Sequence, residues 1–240
     1  MEKTLFLLFI LALLPASDLS FAAETGCIKG DCQNSSGIMV YHNGSRYEGG
    51  FKDGKYSGRG VFYFANGSIY EGEYENGRYH GRGHFSFANG SSYVGQFKDG
   101  EYHGKGTFTF SNGSQYSGQY YESSIQGHGT FTYADGSIYT GEFKNGSKEG
   151  HGVITHADGS KYSGEFKNGL YHGQGKYTLV NGGQYVGGFK DRDIHGQGAF
   201  TSLTGQNMSA ALKVAGEMGR GFTLPPPVRS IQGNSRMIIS

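Results

Sequence analysis

The unit Tyr47-Glu48-Gly49-Gly50-Phe51 returns at Tyr70, Tyr93, Tyr116, Tyr139, Tyr162 and Tyr185, giving seven head-to-tail copies with a period of 23 residues. A fixed period in the range of roughly 20–50 residues marks a chain built from one supersecondary unit stacked on itself, each copy covering what its neighbour exposes. Residues 47–207 therefore form one elongated array rather than a single globule. Numbered from its first tyrosine, the unit keeps glycine at positions three, twelve, fourteen and twenty-one in every copy, as at Gly72, Gly81, Gly83 and Gly90. Register thus accounts for 28 of the 44 glycines, four in each of seven copies.

Position five is always aromatic, from Phe51 and Tyr74 to Phe189, so tyrosine, glycine and aromatic alternate on one face of a short strand. Glu71 and Glu73 then point to the other face. Thr107-Phe108-Thr109-Phe110 and Thr130-Phe131-Thr132-Tyr133 alternate with the same period of two and supply a second strand. Lys98-Asp99-Gly100 turns the chain within a copy; Ala65-Asn66-Gly67 and Ala134-Asp135-Gly136 turn it between copies. Glycine inside a strand ordinarily weakens it. Its regularity at positions three, twelve and fourteen predicts that large rings lie across bare backbone there. Tyr and Phe supply 18 and 17 residues and Trp none, which suits a thin aromatic layer. The fold class is all-β: an elongated, single-layer, twisted antiparallel meander of β-hairpin repeats with fourteen repeat strands.

The run Tyr70-Glu71-Gly72-Glu73-Tyr74, then Gly77, Gly81-Arg82-Gly83 and Gly90, resembles the MORN repeat, and seven copies agree in register. Local departures are Ser123 and Arg192 for the turn glycine, His156 for an aromatic and Thr204 for Asn or Asp, which predicts looser fourth, fifth and seventh copies. The resemblance implies a scaffold for protein association or assembly, or attachment to a phospholipid or membrane surface. Such repeats also accompany catalytic domains in some plant lipid kinases and a histone methyltransferase, but this chain leaves no room for one.

Outside the repeats, Lys3 precedes the apolar run Leu5 to Leu14, and Ser20-Phe21-Ala22 offers small residues at a cleavage site, so residues 1–22 read as a signal peptide. Ten apolar residues are too few for a bilayer span, which needs about 20. Export to a periplasmic, cell-envelope or extracellular location is the expectation. In that setting Cys27 and Cys32, the only cysteines, are expected to form a disulfide within a partial leading repeat over residues 23–46. Residues 208–224 read either as a degenerate closing repeat or as a capping helix. Pro225-Pro226-Pro227 opens a mobile tail over 225–240.

Charge excludes one class of partner. Without Glu2, Lys3 and Asp18, the 21 basic and 20 acidic residues fall to 20 and 18, a near-neutral balance that does not support nucleic-acid binding. His80, His103, His172 and His195 share one repeat position, yet equivalent atoms two strands apart are roughly 10 Å from each other, too far for a shared metal. No metal, cofactor or catalytic residue is assigned. Glu71, Glu73, Glu142 and Glu165 are expected to form cross-strand ion pairs with Arg59, Arg82 and Lys105. Asn43-Gly44-Ser45 and its equivalents match a glycosylation signal, but hairpin-turn chemistry already accounts for them. The row Tyr47, Tyr70, Tyr93, Tyr116, Tyr139, Tyr162 and Tyr185 is the candidate binding surface if its hydroxyls are exposed; the alternative is that it forms the sheet's own packing layer. The expected function is that of a non-enzymatic scaffold with unknown protein partners, self-association among them, and phospholipid binding is the alternative.

Overall fold

The computed structural model describes residues 25–201 and the backbone of residues 207–208. The expected signal peptide and tail lie outside the described residues, as does the closing unit apart from the backbone of Met208. Within them every regular element is a strand. A leading pair, β1 (Gly26–Gly30) and β2 (Ser36–Val40), precedes seven long hairpins. These are β3 (Arg46–Lys52) with β4 (Lys55–Tyr63), β5 (Ile69–Glu75) with β6 (Arg78–Ser86), and β7 (Ser92–Lys98) with β8 (Glu101–Thr109). Next come β9 (Gln115–Tyr121) with β10 (Ser124–Thr132), and β11 (Ile138–Lys144) with β12 (Ser147–Thr155). The array closes with β13 (Lys161–Lys167) and β14 (Leu170–Thr178), β15 (Gln184–Lys190) and β16 (Asp193–Thr201), and the short β17 (Asn207–Met208). Each strand pairs antiparallel with the next in one seventeen-stranded sheet.

Two kinds of turn make the meander. Within a copy the turn has two residues, both with positive φ, as at Asp99 (53°) and Gly100 (93°). That mirror-image turn matches the twist of the flanking strands. The copies lacking the turn glycine keep the same geometry: Glu122 and Ser123 sit at 47° and 59°, Asp191 and Arg192 at 51° and 83°. These side chains hold a backbone conformation that glycine adopts without strain, and Ser123 Oγ accepts the Tyr102 N–H at 3.2 Å. Between copies only the glycine has positive φ. There Asn66 Oδ1 accepts the Ser68 N–H at 2.9 Å.

Successive copies are stitched outside the strand ladders. The turn N–H of Gly77 donates to the Tyr56 carbonyl of the preceding copy at 2.9 Å, and that of Gly100 donates to Tyr79 at 2.9 Å. On the opposite edge the Ala88 N–H donates to Ser68 Oγ and the Ser111 N–H to Ser91 Oγ, each at 3.1 Å. The serine of the Asn-Gly-Ser runs between copies is therefore a buried structural acceptor, as at Ser68, Ser91 and Ser114. The leading unit offers the same acceptors: Gln33 O receives the Gly54 N–H at 3.0 Å, and Ser45 Oγ receives the Ala65 N–H at 3.1 Å. The Cys27–Cys32 disulfide, with Cα atoms 6.0 Å apart, ties this unit together.

Candidate functional site

The sheet has two unlike faces, and strand alternation assigns each repeat position to one of them. On the aromatic face the position-one tyrosine stacks on the aromatic of its partner strand, as Tyr93 does on Tyr102 with centroids 3.9 Å apart. It also meets two position-five rings edge-on, that of its own copy and that of the next; Tyr93 lies 5.1 Å from Phe97 and 5.3 Å from Tyr120. A Cβ built on Gly95 would come within 2.5 Å of Tyr93 Oη, and one on Gly106 within 2.3 Å. The glycines at positions three and fourteen thus make room for the ring, as expected.

Position twelve serves another purpose. Gly81, Gly104 and Gly127 have positive φ of 59–64° and sit in a bulge where the strand register shifts.

The tyrosine row is the packing layer and not a binding surface. Tyr47, Tyr70, Tyr93, Tyr116, Tyr139 and Tyr162 are 0% exposed and Tyr185 is 3% exposed. Their hydroxyls point inward and donate to backbone carbonyls, Tyr93 to Gln96 O and Tyr139 to Glu142 O, each at 2.9 Å. The physical reason is the pair of glycines beside each ring, which lets it lie flat on the backbone and bury its hydroxyl. Replacing Tyr93, Tyr116 or Tyr139 by Phe is expected to cost about 1 kcal/mol of stability per site in urea unfolding, with partner selectivity unchanged.

One stretch of this layer is polar. In the fifth copy Lys148 occupies the stacking position, 6% exposed, with Nζ 5.6 Å from the Tyr139 centroid. Burial pushes its ammonium down to about 8. His156 Nε2 and Tyr171 Oη share a buried hydrogen bond of 2.6 Å, and burial lowers the imidazole pKa. Between about pH 8 and 10 the unfolded chain keeps a Lys148 proton that the folded chain releases, so stability rises with pH across that window. Lys148→Tyr, which restores the residue used by other copies, is expected to raise stability at neutral pH by up to about 3 kcal/mol and to flatten that rise. Chemical denaturation at pH 7 and 9.5 measures both.

The opposite, polar face carries the remaining candidates. An unbroken row of facing glycines crosses the sheet here, with Gly60, Gly72, Gly83, Gly95, Gly106 and Gly118 as successive partners. Over β4–β8 their backbone floors a shallow trough of about 860 Å³. One wall runs Val61, Glu71, His84, Val94; the other runs Arg59, Glu73, Arg82, Gln96, Lys105. A second depression continues past Thr107, Ser117 and Gln119 to His128.

The expected ion pairs are replaced by a different bracing. Glu73 Oε1 accepts the backbone N–H of Arg82 at 3.2 Å, Gln96 that of Lys105 at 2.8 Å, and Glu142 that of His151 at 2.9 Å. These acceptors hold the position-twelve bulge shut, which is why Glu and Gln serve interchangeably. Among the described residues an ion pair joins Arg46 to Glu48, and Glu75 and Asp191 lie beside the imidazoles of His80 and His172, leaving Arg59, Arg82 and Lys105 with no carboxylate partner. Assigning those cations to ion pairs hid this wall from sequence reasoning. The signal was present in the flanking positions of the glycine row.

Six consecutive matches to the MORN repeat cover residues 47–69, 70–92, 93–115, 116–138, 139–161 and 162–184. This chain belongs to the MORN repeat family. The match stops at residue 184, while β15 and β16 carry the MORN strand pattern through a seventh copy. No curated protein matches. Among solved structures, the TCP domain of Drosophila melanogaster SAS-4 (dCPAP), in complex with a proline-rich motif of Ana2, is 16% identical. It covers 83% of this MORN chain and 96% of its own, with a TM-score of 0.37. The TCP10 domain of Danio rerio CPAP, in complex with a STIL peptide, is 15% identical over 72% and 92%, with a TM-score of 0.32.

Proposed function

We propose that this MORN protein is an exported, non-enzymatic scaffold that holds a protein partner along the trough of its polar face. The observation that carries the reading is the contrast between the faces. The position-one and position-five aromatics are consumed in packing, whereas Arg59, Arg82 and Lys105 and the half-exposed Val94 line one depression with no ion pair and no covering element among the described residues. A polar wall beside an exposed apolar residue is the composition of a protein contact rim. Export rests on the leader-like residues 1–22.

The test is affinity capture from the exporting cell's envelope with the wild-type chain and with Val94→Trp, which fills the trough without touching the aromatic layer. Captured protein is expected to fall at least tenfold for the variant while its circular dichroism stays native. Undiminished capture would move the contact elsewhere. Co-sedimentation with anionic vesicles that is lost on Arg82→Gln would make the same wall a lipid site instead.

A further inference from the structure

The spacing of the cationic wall identifies what shape of partner it suits, and this inference rests on the trough being the contact face. Arg59, Arg82 and Lys105 stand on β4, β6 and β8, every second strand. Strands lie about 4.8 Å apart, so these charges recur at about 9.6 Å along the trough. A polyproline II segment rises about 3.1 Å per residue with three residues per turn, hence about 9.3 Å per turn. It therefore presents every third side chain to the same wall in step with the repeats, drifting by only about 1 Å over three of them.

Other regular conformations fail this match. A β-strand laid along the trough covers three residues in about 10 Å, but its side chains alternate, so the third residue points away. An α-helix covers the same distance in about 6.4 residues, which is not a whole number of turns of 3.6.

Charge selects the third side chain. Among the described residues the wall's three cations have no ion pair, and its one carboxylate, Glu73, is turned into the bulge as the acceptor of the Arg82 N–H. The other wall contributes Val61 and Val94, apolar surface of the kind prolyl rings pack on, with Glu71 and His84 between them. The geometry points to an extended proline-rich polypeptide with an acidic residue at every third position, seated across β4–β8.

The experiment uses the full chain and fluorescein-labelled (Pro-Pro-Glu)5, read by anisotropy at low and at physiological salt. Two peptides of equal charge serve as comparisons: (Gly-Ser-Glu)5, which keeps the acid spacing without the polyproline conformation, and an isomer of (Pro-Pro-Glu)5 with its glutamates clustered at one end. Both are expected to bind at least tenfold more weakly than (Pro-Pro-Glu)5. The triple variant Arg59→Gln, Arg82→Gln, Lys105→Gln should lose at least tenfold. Lys144→Gln, Lys161→Gln, Lys167→Gln, which removes the same charge elsewhere, should lose less than twofold. Equal binding of all three peptides, equal loss in the two triple variants, or no binding of (Pro-Pro-Glu)5 overturns the inference. If (Pro-Pro-Glu)5 fails while envelope capture still depends on Val94, the scaffold reading stands and the partner has another conformation.

Discussion

Raising the pH from about 9 to about 11 is expected to unfold this protein in one cooperative step, with tyrosinate absorbance rising as β-sheet circular dichroism falls. Burial holds the phenols of Tyr70, Tyr74, Tyr93, Tyr102, Tyr116, Tyr120, Tyr139, Tyr162 and Tyr171 well above the ordinary tyrosine range. A group whose folded pKa is raised contributes stability that is complete below its unfolded value, here about 10, and is lost as pH climbs past it. Each such tyrosine then favours the unfolded chain by about 1.4 kcal/mol per pH unit. Several acting together exceed the roughly 5–15 kcal/mol that holds an ordinary domain together. Tyrosines that ionise one by one near pH 10 while the sheet persists would show that the aromatic layer admits water.

A side chain on the glycines that floor the trough, which would point into the aromatic layer, should be nearly as damaging. Gly118→Val places a Cβ 2.3 Å from Tyr116 Oη and 2.7 Å from the Gly129 Cα on the facing strand. The ring is pinned between Tyr120 and Phe143, so neither neighbour has room to move. A loss of about 3 kcal/mol or more is expected, at the upper end for overpacking. Gly113→Ala supplies the contrast, because its Cβ meets open space and only its positive φ of 85° is strained, at about 1 kcal/mol. Similar melting shifts for the two would remove the ring-clearance role of position three. Gln119→Val is not neutral either: it removes the acceptor of the His128 N–H at 2.9 Å and should cost about 1 kcal/mol.

The period, the alternation of Tyr70, Gly72 and Tyr74, and the Asp-Gly and Asn-Gly turns made the hairpin meander legible from residues alone, because backbone sterics at those positions leave little choice. The sequence left the tyrosine row open between binding surface and packing layer because alternation reports which face a side chain takes and not how deeply its neighbours cover it. Tyr93 is covered by Phe97 of its own copy and Tyr120 of the next, a contact 27 residues away that no local pattern encodes. Glu73 was misread as an ion-pair partner for a related reason. Its true partner is a backbone N–H exposed by a bulge, and the bulge shows in the sequence only as one more glycine.

The stitches between copies have a polarity. In both recurring kinds the later copy supplies an N–H and the earlier copy supplies an oxygen, as from Gly77 to Tyr56 and from Ala88 to Ser68. Outside the strand ladders, an array cut after any whole copy therefore leaves spare stitch acceptors, whereas one that lacks its leading unit begins with stranded stitch N–H groups at Gly54 and Ala65. Unpartnered acceptors are tolerated better than unpartnered donors. During synthesis the stitch groups left waiting at the growing end are of the tolerant kind, and each newly made hairpin finds its stitch acceptors already in place on the copy before it.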